Sequence, residues 1–288
     1  MTKQSRRQAR SPAAAIALVG DVHGHHDQMV RALLDWQARS GVSIDLIVAL
    51  GDFQAFRDES DMQCMACPPK YQRLGDFPAY YRGEKRFPAP LLFIGGNHEA
   101  YNLLDEIPDG GPVGPDCLYL GRRAAVSRLG LRIAALSGIY SPWTYERGRQ
   151  PVDYDDPLVR GSRKLKKQST YFVPEEVDAL AESGPVDLLL LHDWPRGLAE
   201  LAAPGTSAGE PRRGVGNPPA RALLEKLKPR WLFCGHMHWH FRGEIPWPDG
   251  STTTFVCLDR VNRPQGPFLA VLQSDGDGTW DLNGHFGT

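Results

Sequence analysis

Short apolar runs recur along the chain, and each is stopped by a polar residue: AIALVGD ends at Asp21, DLIVALGD at Asp52, LLFIGGN at Asn97, DLLLLH at His192 and WLFCGH at His236. Runs of this length, apolar on both alternating faces and bounded by Gly or Pro, predict strands buried in the middle of an α/β sheet. The polar residues at their C-terminal ends would then share one edge of it. Between the runs lie helical patterns. Residues 26 to 40 carry Met29, Val30, Leu33, Leu34 and Gln37 at helical spacing and are stopped by Gly41. A second helix is expected from Pro174, and a third after Asn217, with Pro218 and Pro219 in its first turn. TTTFVCLD and PFLAVLQ read as strands. Residues 138 to 172 show no clear periodicity, and a stretch that long within a compact domain is expected to be a functional or a disordered loop.

Length and charge narrow the reading. The chain has 288 residues and a net charge of −1, which suits one domain, expected over residues 13–288 behind a flexible arm of residues 1–12. Near-balanced charge gives no global attraction to nucleic acid, so local clusters matter more. No run approaches the roughly 18 apolar residues of a membrane span. The five cysteines are odd in number and show no framework spacing, which points to a reducing, cytoplasmic setting. Cys64-x-x-Cys67 lacks a second pair to complete a zinc site, and is expected to pack as two small residues in a loop. No obligate protein partner is evident.

The polar strand ends carry the chemistry. Asp21-x-His23, Asp52, Asn97-His98-Glu99, His192 and His236-x-His238 supply carboxylate oxygens, an amide oxygen and imidazole nitrogens. That mixture suits Mn²⁺, Fe²⁺ or Zn²⁺. One ion would not need so many donors, whereas two divalent ions about 3.5–4 Å apart would use them and would serve displacement at phosphorus.

The blocks GDVHG, GD, GGNHE, HD and GHMH resemble the signatures of calcineurin-like metallophosphoesterases. The resemblance implies a sandwich of two β-sheets flanked by helices. It implies that Asp21, His23, Asp52 and His238 hold one metal, and Asp52, Asn97, His192 and His236 the other, with Asp52 as the bridge. His98 would then be the general acid of a reaction begun by a metal-bridging hydroxide, and Glu99 would support its loop. His25, His26 and His240 fall beside the motifs, as surface or supporting residues. The Asp-Arg-Gly clamp of the family's protein phosphatases is absent, for Ala55, Phe56 and Arg57 stand in its place.

GDFQA, Arg57, Asp61, CMACPPKY, YYRGEK, LFIGGNHEAYN, LYLG, LRIAALSGIY and HDWP together resemble the catalytic domain of RNA lariat debranching enzymes. That branch hydrolyses 2′-5′ phosphodiesters at RNA branch points and carries a lariat recognition loop where this chain has residues 138–172. Branched or 2′-5′-linked RNA, or an RNA–DNA hybrid, is the substrate it implies. Asp21 replaces that branch's cysteine ligand, and a hard carboxylate favours Mn²⁺ or Fe²⁺ more than a thiolate does. Within 138–172, Arg147, Arg149, Arg160, Arg163, Lys164, Lys166 and Lys167 make a local positive excess, and Trp143, Tyr145, Tyr154 and Tyr171 offer faces for unstacked bases. Lys70, Tyr71, Tyr145, Arg147, Arg163 and Lys164 are the candidate substrate contacts. Two other readings stay open: a general phosphodiesterase acting on cyclic nucleotides or small diesters, and a non-catalytic scaffold of the same fold.

Overall fold

The computed structural model describes residues 13–209, 214–263 and 266–283, so the expected arm of residues 1–12 lies outside the described residues. Two seven-stranded sheets form the centre. The first runs in the order Trp280–Asn283, Leu269–Ser274, Ala14–Val19, Leu46–Ala49, Leu91–Phe93, Cys117–Tyr119, Gly111–Gly114. The second runs Arg123–Arg128, Leu131–Leu136, Leu188–Leu191, Trp231–Cys234, Thr252–Cys257, Phe241–Pro246, Ala208–Gly209. All five apolar runs are strands, but they are shared between the sheets, three in the first and two in the second. This corrects the single sheet expected from their pattern and matches the sandwich implied by the motifs. Strands buried on both faces read alike whichever sheet they join.

Alternation within each strand divides the core into layers. Ile16, Leu18, Leu46 and Val48 point between the sheets toward Leu188, Leu190, Phe233 and Val256. Ala15, Ala17, Val19 and Ile47 point outward under the helix His26–Ser40. Leu189, Leu191 and Leu232 pack outward against Val177, Leu180, Leu223 and Leu224, which come from the helices Pro174–Ala181 and Pro218–Leu227. The latter is capped as its sequence predicts, with the Asn217 side chain accepting the Ala220 N–H. His26–Ser40 likewise ends on Gly41 at φ 70°. Its buried face is His26, Met29, Leu33 and Trp36, whereas Leu34, expected inside, is 49% exposed.

Residues 138–172 are not an open loop. They fold into the short helices Pro142–Arg147, Pro157–Gly161 and Arg163–Lys166 and a 3₁₀ turn Lys167–Thr170. Ser141, Asp156 and Ser162 cap the three helices by accepting N–H groups of Thr144, Leu158 and Leu165. Helices of four to six residues are too short to display an amphipathic period, although Ser-Pro and Asp-Pro were start signals. Among the described residues, no helix is long and apolar enough to cross a membrane.

Candidate metal centre

The strands Ala14–Val19, Leu46–Ala49 and Leu91–Phe93 are mutually parallel, as are Leu188–Leu191, Trp231–Cys234 and Thr252–Cys257. Their C-terminal ends therefore bring the motif loops of both sheets together. Asp21, His23, Asp52 and His238 each offer one donor atom within 4.8 Å of the others. His238 Nε2 lies 3.0 Å from Asp21 Oδ2 and 2.8 Å from His23 Nε2. His23 Nε2 faces Asp21 Oδ2 at 3.8 Å and Asp52 Oδ2 at 3.7 Å.

The other Asp52 oxygen faces a second group. His192 Nε2 is 3.4 Å from Asp52 Oδ1 and 3.3 Å from Asn97 Oδ1. His192 Nδ1 donates to the Leu50 carbonyl at 2.7 Å, which leaves Nε2 with its lone pair free. The His236 ring lies 5.0 Å from that of His192, and its backbone N–H donates to Asp21 Oδ1. Asp52 thus turns one oxygen to each group. Convergent carboxylate, amide and imidazole donors of this kind fit divalent cations.

Electrostatics agree with that use. Burial alone would raise the Asp52 pKa, but the imidazoles of His192, His98 and His23 outweigh it and hold the carboxyl below its ordinary range. Burial takes His23 down to about 4, against the pull of Asp52 and Asp21, so its ring is neutral and able to ligate.

The backbone is bent to achieve this convergence. His23, Asp52, Gln54, His236 and His238 have φ of 48°, 46°, 61°, 69° and 50°. Left-handed residues other than Gly cost stability and gather at functional sites. The glycines preceding Asn97 and His236 answer to close packing. A Cβ on Gly96 would meet Asp52 Oδ1 at 2.2 Å, and one on Gly235 would meet Asp21 Oδ1 at 2.3 Å.

Glu99 ties two motif loops together, accepting the N–H groups of Phe53, Gln54 and Gly96 at 2.7, 2.8 and 3.2 Å. Burial and nearby Asp52 push its carboxyl up to about 8 despite these donors. His98 does not join the ligand donors. Its backbone N–H binds Asp52 Oδ1 at 2.7 Å, and its ring, 5.6 Å from that of His23, lines a cleft of about 460 Å³ over the cluster. His26 is not at the surface. It is fully buried against Phe53, Phe77 and Tyr80, and burial lowers it to about 3. His25 is on the cleft, and the His240 Nδ1 meets the Cys257 carbonyl at 3.1 Å.

Of the six candidate substrate contacts, Lys70 and Tyr71 line this cleft. Tyr145 instead packs with Tyr140 and Phe172, and Arg147 stacks on Trp143. Arg163 and Lys164 are exposed on the 138–172 segment, where the Arg163 charge still acts on Cys67, a cleft residue. Three cations of that segment are engaged within the chain, Arg149 and Lys166 in largely buried positions and Arg160 on the exposed surface. Arg149 pairs with Glu176, Arg160 with Asp155, and Lys166 donates to the Gln63 carbonyl at 2.9 Å. Tyr154 packs against the first sheet's outer core with its hydroxyl buried, which removes it as a face for a base.

The Gly51–Tyr71 stretch is built on Asp61. That carboxylate is fully buried and accepts the Arg57 N–H, the Arg57 guanidinium and the Asn102 amide. Cys64 and Cys67 donate to the carbonyls of Ser60 and Pro68. Arg73, Arg260 and Asn262 also line the cleft. Reasoning from sequence missed them, since no strand end or motif spacing marks them.

A family model for the calcineurin-like phosphoesterases matches residues 14–240. The chain is 35% identical over 277 residues to a lariat debranching enzyme of Homo sapiens, covering 91% of this chain and 50% of that protein. It is 39% identical over 257 residues to that of Schizosaccharomyces pombe, covering 81% of this chain and 54% of that one. The chain therefore spans about half the length of the curated relatives it matches. A solved crystal structure is similar in fold, with TM-score 0.55 at 12% identity, covering 96% of this chain and 100% of that one. With the match running from the first strand through the last cluster histidine, the chain belongs to the calcineurin-like phosphoesterase family.

Proposed function

We propose that the chain is a phosphodiesterase of debranching type that opens 2′-5′ linkages in branched RNA with the help of two divalent ions. The observation that carries the reading is the cleft itself. It joins the cluster residues His23 and His238 to His98, and one wall is the Met65–Tyr71 part of the stretch that resembles debranching enzymes. The similarity to lariat debranching enzymes over most of the chain supports the same substrate.

Asp21, His23, Asp52 and His238 would hold one ion, and Asp52, Asn97, His192 and His236 the other; the donor set favours Mn²⁺, Fe²⁺ or Zn²⁺. Bound there, the ions would supply positive charge for the non-bridging phosphate oxygens and a water of lowered pKa. The remaining work belongs to side chains. His98, on the cleft side of the cluster, donates a proton to the departing ribose 2′ oxygen as its bond to phosphorus breaks, and the phosphate stays on the other nucleotide. Lys70 and Tyr71 hold phosphate and base at the rim.

Metal-loaded protein should cleave a branched 2′-5′ RNA with kcat/KM at least tenfold above that for linear 3′-5′ RNA. Equal values for both, together with rapid hydrolysis of a simple aryl diester, would replace this reading with a general phosphodiesterase.

A further inference from the structure

Apart from the metal cluster, the cleft has a wall of one sign. Lys70, Arg73 and Arg260 line it, and no Asp or Glu does. The neighbouring pocket of about 420 Å³ is the reverse, lined by Asp105, Glu106, Asp153 and Asp155 around one arginine. Elsewhere the chain pairs its well-placed arginines. Arg57 binds Asp61 at 2.8 Å, Arg149 binds Glu176 at 2.8 Å, and Arg263, three residues beyond Arg260, binds Asp259 at 2.9 Å.

Arg73 and Arg260 form no ion pair among the described residues, and Arg260 Nε is buried without a hydrogen-bond partner. Both flank His25, whose ring is favoured in its neutral form by burial and which also feels the Asp76 carboxylate from outside the cleft lining. His25 in turn is held by Asn262, whose Nδ2 lies 3.0 Å from its Nε2. A buried charged donor left unmatched is costly, so its retention points to a ligand that completes it.

The charge of a single scissile diester falls to the cluster and its ions, which leaves two guanidiniums over. Planar guanidinium donors match phosphate in pairs. Tyr71, 62% exposed with Lys70 4.8 Å above its ring, provides a stacking face on the same cleft. A group that brings both a base and a further phosphate is a second nucleotide. We infer that Arg73 and Arg260, positioned around His25, bind a second phosphate, that of the nucleotide adjoining the scissile linkage. This inference rests on the phosphodiesterase reading and gives its site a reason to prefer nucleic acid over small diesters.

The test compares two 2′-5′-linked dinucleotides that differ only in a 3′-phosphate on the nucleoside bearing the 2′ linkage. In the metal-loaded native protein, kcat/KM should be at least tenfold higher with the extra phosphate. In Arg260→Ala and Arg73→Ala that ratio should fall toward one, and Arg260→Lys should keep part of it. A variant that retains the native ratio overturns the inference, as does a native ratio near one.

Equilibrium binding of a short oligonucleotide to chelated protein gives an independent readout. Each Ala variant should lower the slope of log affinity against log salt by about one; an unchanged slope overturns the site. If native protein cleaves neither dinucleotide yet hydrolyses an aryl diester, the debranching reading fails separately and the binding slope alone decides the subsite. Matching thermal midpoints among the variants establish that folding is intact.

Discussion

His98 is the residue whose backbone and side chain do different jobs. Its N–H serves Asp52, while its ring stands free on the cleft. His98→Ala keeps the backbone bond, so metal content should stay at the native level. Turnover of a diester with an alkoxide leaving group should fall by about 10²–10⁴, and turnover of a nitrophenyl diester, whose leaving group needs little protonation, should fall far less. Equal losses on both substrates would remove the general-acid role, and loss of metal would make His98 a support for the ligands. At this scale the sequence is informative where a cluster residue falls within three positions of a strand's end, as Asp21, Asp52, His192 and His236 do. His26 shows the opposite case. Its place two residues beyond a motif suggests a surface or supporting role, yet the first turn of its helix points inward and packs the ring among aromatics. Arg260 could not be found either, because its meaning lies in a guanidinium that forms no ion pair among the described residues although Asp259 precedes it, which only the folded chain reveals.

At the scale of elements, the stretch from Gly51 to Tyr71 and the segment 138–172 are tied by a part-buried hydrogen bond. Asp61 gathers four donors, three from Arg57 and one from Asn102, and Lys166, 6% exposed, reaches across to the Gln63 carbonyl. Asp61→Asn keeps the shape but removes the charge opposite Arg57. Because Arg57 is 31% exposed, water relieves part of the loss, and the expected destabilisation is about 2–3 kcal/mol rather than that of a wholly buried pair. Denaturant titration measures it, and hydrogen exchange should quicken in residues 59–71 before the sheets open. A change within about 0.5 kcal/mol would show that Asp61 does not organise the stretch. The buried apolar strands and the three longer helices were legible from runs, periodicity and stop signals, whereas the six-residue strands Arg123–Arg128, Leu131–Leu136 and Phe241–Pro246 were not read from the sequence. The 138–172 helices were not, for each is one turn or little more, and their cations look alike in sequence whether they face solvent, as Arg163 does, or bind inside, as Arg149 does.

Across the whole molecule, the metal cluster is the seam where two sheets meet. Asp21 and Asp52 follow strands of the first sheet, and His192, His236 and His238 follow strands of the second. The seam is closed by contacts with no room to spare. The His236 N–H binds Asp21, and Gly235 lies so near Asp21 Oδ1 that a Cβ would stand 2.3 Å from it. An ion held by both sides binds only the assembled sandwich, so its binding free energy adds to folding. At a free metal concentration one hundred times Kd, the gain is about 2.7 kcal/mol. Native protein should therefore melt several degrees higher with Mn²⁺ than after chelation. Gly235→Ala should force the His236 loop away from Asp21 while leaving both sheets, whose layers pack elsewhere, to fold on their own. Its chelated midpoint should stay near that of chelated native protein, its metal-induced rise should largely vanish, and its metal content should drop below the native stoichiometry. A Gly235→Ala protein that binds metal and gains stability like the native chain would mean that the two sheets' ligands tolerate separation, and the centre would then be held by one side of the seam.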